Sequence, residues 1–98
     1  MPFVQMIDYT TSQWDAVQAL VMQYFKDTAG TRLSARTTIC RDRDIAHRYV
    51  AIVEFPSYEA AMENSNLPET AALAEAMAVL CDAPPVFRNL DVVGVVEG

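Results

Sequence analysis

The sequence predicts an α+β fold: a four-stranded antiparallel sheet with helices on one face, in the order strand, helix, strand, strand, helix, strand. Three observations predict it. The stretch His47 to Ala61, HRYVAIVEFPSYEAA, reads as a strand that stops at Pro56 and hands over to a helix capped by Ser57. That strand is apolar on both sides, with Tyr49, Ala51, Val53 and Phe55 pointing one way and Val50 and Ile52 the other. Only two substantial helical segments accompany it, enough to cover one face of a small sheet. The other face needs cover from elsewhere, and the expectation is a homodimer formed through the open sheet face.

Taken in order, Phe3 to Tyr9 alternates Phe3, Gln5, Ile7 and Tyr9 against Val4, Met6 and Asp8, with apolar residues in both sets. It is a second doubly buried strand. Thr10, Thr11 and Ser12 supply capping hydroxyls, and Asp15 stands three residues after Ser12, where a capping box or the helix dipole favours an acid. Trp14, Val17, Leu20, Val21, Tyr24 and Phe25 then recur at helical spacing, and Gly30 is expected to end the helix as a left-handed cap.

Leu33 to Arg41, rich in Thr, Ile and Arg, reads as an edge strand with one wet side, and Arg41 to Asp44 turns it back into the His47 strand as a hairpin. After Ser57 a short helix, Tyr58 to about Glu63, is interrupted at Asn64, Ser65 and Asn66. Helix resumes with Asn66 and Glu69 at capping-box spacing and Pro68 in the first turn; Leu73, Met77, Leu80 and Cys81 form its apolar stripe. Asp82 to Pro85 break it, and a last strand is expected from Val86 to Val96, its Val92 to Val96 tail reaching across to a partner. This βαββαβ order is the ferredoxin-like arrangement, whose right-handed crossovers place both helices on the same side.

At 98 residues, with 52% hydrophobic and 20% charged residues, the chain is expected to form one domain over residues 1–98. Its net charge of −6 argues against nucleic acid or an anionic membrane as partner. No apolar run approaches the roughly 20 residues that span a bilayer, and the first residues alternate like a strand rather than a signal peptide; a cytoplasmic location is expected. Cys40 and Cys81 stand apart from each other and from the single histidine, so no metal site is expected, and both are read as small buried hydrophobes.

The run Tyr49 to Phe55 through Pro56 into Ser57-Tyr58-Glu59-Ala60-Ala61, the broken second helix with Pro68, and the final strand Phe87-Arg88-Asn89-Leu90-Asp91-Val92 together resemble the dimeric α/β-barrel superfamily, in particular small proteins similar to antibiotic-biosynthesis monooxygenases. The resemblance implies two ferredoxin-like protomers forming a dimeric α/β barrel with a pocket in each half. It implies two functions: cofactor-independent oxidation of a small aromatic or polyketide-like substrate, or a non-catalytic ligand-binding or stress-response dimer. The haem-degrading branch needs an asparagine on the first strand, where this chain has Gln5, so that site is not carried over.

His47 is the candidate general base, sharing a strand face with Tyr49; its alternative is an exposed strand-end histidine beside Arg48. Phe87, Asn89 and Asp91 share one face of the last strand and, with Gln5, Tyr9 and Tyr49, are the candidate ligand-binding residues if that face looks into the barrel. Trp14 either stacks on a ligand or anchors the first helix to the sheet. Arg32, Arg36, Arg41, Arg43 and Arg48 either hold a carboxylate or pair with the interleaved Asp42 and Asp44. No serine or cysteine stands beside an evident base, so nucleophilic catalysis has no support.

Overall fold

A computed structural model describes residues 2–98. The elements run β1 (Phe3–Thr10), α1 (Trp14–Asp27), β2 (Arg36–Arg41), β3 (Arg48–Phe55), α2 (Tyr58–Ser65), α3 (Pro68–Leu80) and β4 (Val86–Asp91). The strands form one antiparallel sheet in the order β2-β3-β1-β4, with all three helices on one side: the ferredoxin-like fold. The two doubly apolar strands are its centre, as their composition requires.

Register fixes which side chains meet the helices. Tyr9 lies opposite Tyr49, Ile7 opposite Ala51 and Phe3 opposite Phe55, all on the covered face. There Tyr9, Tyr49 and Ala51 pack with Val17 and Val21 of α1, flanked by Trp14, Phe25, Leu73, Met77, Leu80 and Cys81. A second cluster joins Phe3, Phe55 and Ala61 at the other end of the sheet. Trp14 anchors α1, its indole stacked on the Tyr49 ring at 4.3 Å between centroids.

Helix ends depart from the expected pattern in instructive ways. Ser57 caps α2 as expected, its hydroxyl accepting from the Ala60 amide at 3.1 Å. At α1 the N-cap is Gln13 and no side chain caps it. The Thr11 hydroxyl instead accepts from Gln13 N and donates to the Leu80 carbonyl at 2.7 Å, tying the start of α1 to the end of α3, while Ser12 donates to Asp82. Helix α1 stops at Asp27, before Gly30, because the Thr28 hydroxyl turns back to the Tyr24 carbonyl at 2.7 Å; Gly30 has no left-handed backbone. The expected Asn66–Glu69 capping box does not form either. Leu67, with extended backbone, is the N-cap of α3, and Asn66 is occupied closing α2.

Two strands are shorter than expected for the same reason, loss of a partner. Beyond Asp91 the Val92 amide still reaches the Pro2 carbonyl at 3.0 Å, but the ladder with β1 ends at Phe3 opposite Asp91, and residues 93–98 pair with no strand among the described residues. Val93, Val95 and Val96 are consequently exposed. At β2, Ala35 N reaches the Glu54 carbonyl and pairing ceases there, since β3 ends at Phe55 before Pro56. The cysteine expectation is corrected in part: Cys81 is half-buried against the core, whereas Cys40 is exposed, because β2 is an edge strand and Cys40 lies on its uncovered side opposite Val50.

That uncovered side carries Val4, Met6, Val50, Ile52 and Leu90, together with an ionic network. Arg48 binds both oxygens of Asp8 and, through Nη1, Asp42 at 2.6 Å, while Arg88 lies 3.5 Å from Asp8. Arg36 pairs with Glu54 at 2.7 Å. These arginines are thus salt-paired across strands as well as within the hairpin.

Candidate functional site

Between the covered face of the sheet and the helices lies a partly open cavity of about 110 Å³. Its floor is the middle of the sheet: Gln5, Ile7 and Tyr9 from β1, Ala51, Val53 and Phe55 from β3, Thr37 and Ile39 from β2. Its roof is Val21, Tyr24 and Phe25 of α1, Asn64 and Ser65 at the end of α2, and Thr70, Leu73 and Met77 of α3, with Ser34 from the loop before β2. The layout follows from the period-2 alternation of the strands against the helical stripes.

The polar groups of the roof form one chain. The Leu33 amide donates to Asn64 Oδ1 at 3.0 Å, Asn64 Nδ2 donates to the Tyr24 hydroxyl at 3.4 Å, and that hydroxyl shares a hydrogen bond with Thr70 Oγ1 at 2.9 Å. Asn64 is 6% exposed, so its amide is held by these partners rather than by solvent. Phe25 is pinned by Arg32, whose guanidinium carbon lies 4.6 Å from the ring centroid and whose Nη1 donates to the Phe25 carbonyl and to Thr28. On the floor, Gln5 Nε2 donates to Asn89 Oδ1 at 3.2 Å.

Every residue lining the cavity is neutral. Burial, with Cys81 and Tyr49 nearby, pushes the Tyr9 hydroxyl up to about 12, so at neutral pH it rests as a phenol. Such a cavity accepts an uncharged molecule, holds it by apolar contact, and offers hydrogen bonds from Asn64, Tyr24, Thr70 and Gln5 to oxygen substituents.

Of the residues singled out from the sequence, Gln5 and Tyr9 line this cavity. Tyr49 is 7% exposed and sandwiched, stacked on Trp14 at 4.3 Å and on Tyr9 at 5.7 Å. Asn89 touches the site through Gln5, and Phe87 and Asp91 share its face of β4, lying opposite Ile7 and Phe3. All three are exposed, because the helices cover β1 and β3 and leave the β4 edge open. His47 lies elsewhere: with Thr11, Gln13, Trp14, Asp15 and Tyr49 it borders a shallow depression at the start of α1, its backbone left-handed at φ 65°. Asn64, Tyr24 and Thr70 were not singled out. The polar run Asn64-Ser65-Asn66 between two helical stripes was the available signal for the first; Tyr24 was hidden inside an apolar stripe.

Among the described residues no group of three or more His, Cys, Asp or Glu side chains is placed to hold a metal ion, and no helix is long and apolar enough to cross a membrane.

The four-stranded antiparallel sheet with helices on one face is a fold shared with solved structures of antibiotic biosynthesis monooxygenase-like proteins. SnoaB, a cofactor-independent oxygenase from Streptomyces nogalater, superposes with a TM-score of 0.83 at 15% identity, over 99% of this chain and 98% of that one. Rv0793 from Mycobacterium tuberculosis gives 0.81 at 14% identity, covering 99% and 100% of the two chains. A further antibiotic biosynthesis monooxygenase gives 0.76 at 18% identity, covering 96% and 100%. No protein-family model matches the sequence and no curated sequence matches it significantly. The likeness is therefore one of fold.

Proposed function

We propose that the chain is a cofactor-independent monooxygenase that binds a small aromatic or polyketide-like substrate in the cavity and directs its oxidation by dioxygen. The observation that carries this reading is the neutral, largely apolar cavity with the Asn64–Tyr24–Thr70 hydrogen-bond chain on its roof. The fold shared with SnoaB supports it. The substrate itself supplies the electrons, so the reading invokes no bound metal or flavin. Four electrons pass from substrate to dioxygen; one oxygen atom is kept in a new carbon–oxygen bond and the other leaves as water with two hydrogens from the substrate. The protein's part is to orient the ring, exclude bulk water, and place the Tyr24 hydroxyl and Asn64 amide where negative charge develops on the substrate oxygen as its proton leaves.

The same reading includes a homodimer in the cytoplasm, packed through the open face of the sheet. Val86 and Leu90 are 50% and 41% exposed there, and Val93, Val95 and Val96 follow on the tail. A second copy supplies the missing layer.

Oxygen uptake with a panel of quinols and anthrones tests the proposal. We expect turnover that Asn64→Ala reduces by about 10²-fold, the scale of losing one donor to a developing oxyanion. No uptake with any member, in a protein that still binds them, would favour the second reading, a non-catalytic ligand-binding dimer. The absence of any titratable lining group other than tyrosine is the observation on that side.

A further inference from the structure

On the reading that the cavity is the ligand site, we infer that it selects a neutral, single-ring hydroxyaromatic, such as an alkylhydroquinone, and rejects both fused polycycles and ring carboxylates. Size is the first observation. The cavity measures about 110 Å³. A buried apolar cavity of roughly 150 Å³ holds one benzene ring, and pockets for drug-sized molecules run to about 300 Å³ and more. The enclosed volume falls below both, so a single ring seats only with one edge and its substituents in the open mouth, and three fused rings find no room.

The walls are also held in place, so the size limit is built in. Tyr24 is tied to Thr70 at 2.9 Å and to Asn64, and Asn64 is tied to the Leu33 amide at 3.0 Å. Phe25 lies under Arg32, which is itself bonded to the end of α1. The floor is a continuous ladder of β2, β3 and β1, which cannot sag without breaking paired hydrogen bonds. Met77, unbranched and flexible, is a wall residue that adapts at little cost.

Charge is the second observation. No lining side chain is acidic or basic, so a carboxylate carried inside would be desolvated without a partner. Hydroxyls, by contrast, find donors and acceptors on both layers: Asn64 and Tyr24 above, Gln5 and Thr37 below.

Anaerobic calorimetric titration of the wild-type protein with methylhydroquinone, gentisate and anthrone tests the inference. We expect methylhydroquinone to bind at least about tenfold more tightly than either of the others. Equal affinity for anthrone would overturn the size limit, and equal affinity for gentisate the requirement for neutrality, while both leave the cavity standing as a ligand site. Failure of all three to bind would overturn the cavity reading itself and this inference with it. In Met77→Ala we expect naphthohydroquinone affinity to rise about tenfold relative to wild type; an unchanged ratio in a folded variant would mean that another wall sets the limit. The wild-type titrations decide the main point even if that variant does not fold.

Discussion

Arg48 of β3 grips Asp8 of β1 with two parallel hydrogen bonds, Nε to Oδ1 at 3.1 Å and Nη2 to Oδ2, across the uncovered face of the sheet. The fork geometry makes this a specific contact and not a loose surface pair. The third nitrogen of the same guanidinium takes Asp42, so one side chain ties both central strands to the turn after β2. Arg48→Met should lower the melting temperature by a few degrees. Lysine should recover only part of it, because an ammonium cannot make the fork. Thermal melts of the two variants check this.

The same network sets an acid limit. Hydrogen bonds from Arg48 hold the Asp8 carboxyl below its ordinary value, and the amide of Asp44, then Arg48 and the amide of Ile45, do the same for Asp42. Groups whose folded pKa is depressed take up protons first in the unfolded chain. Their contribution is therefore complete above the ordinary aspartate value of about 3.9 and fades as pH falls through the lower folded values. Melting temperature should be flat from neutral pH to about 5 and fall below about 4. In Asp8→Asn that fall should be shallower, from a lower plateau; an unchanged acid slope would show that other carboxylates govern it.

Assembly can be tested at the centre of the open face. Ile52 lies there between Met6 of β1 and Thr38 of β2. If a second copy covers it, Ile52→Glu places an unpaired charge in the interface and should weaken association by about 2–5 kcal/mol. Sedimentation of wild type and variant at micromolar concentration reads this directly. A monomeric wild type would remove the dimer from the proposal.

His47 holds a left-handed backbone, φ 65°, where the chain enters β3 and its carbonyl accepts from the Thr11 amide at 2.9 Å. A residue with a Cβ loses about 1–2 kcal/mol in that region, and glycine loses roughly 0.5–1 kcal/mol of backbone entropy instead. His47→Gly should therefore be neutral or stabilising by up to about 1 kcal/mol in urea unfolding. Turnover in the same variant decides the candidate base: abolition would give His47 a role that its position outside the cavity does not predict.

Much of the fold was legible because local periodicity and global burial agree. Two strands apolar on both faces must be central in the sheet, and Ser57 after Pro56 marks a helix start wherever the chain then goes. Strand and helix ends were less legible, since they depend on partners. Val92 to Val96 has every local mark of a strand, yet the ladder with β1 ends at Phe3 opposite Asp91, and Gly30 is bypassed because Thr28 closes α1 first.

For the site, the alternation of β1 placed Gln5 and Tyr9 on one face with no knowledge of what lies above them. The sequence by itself determined the layered α+β architecture, the central position of β1 and β3, and the surplus apolar face, because these follow from which residues must leave water. Only the tertiary structure decided that Asn64, Tyr24 and Thr70, from three different helices, meet over that face while His47 does not, and how large the space between them is. Those are distances between segments up to 46 positions apart along the chain, set by helix packing against the sheet, and no local pattern encodes them.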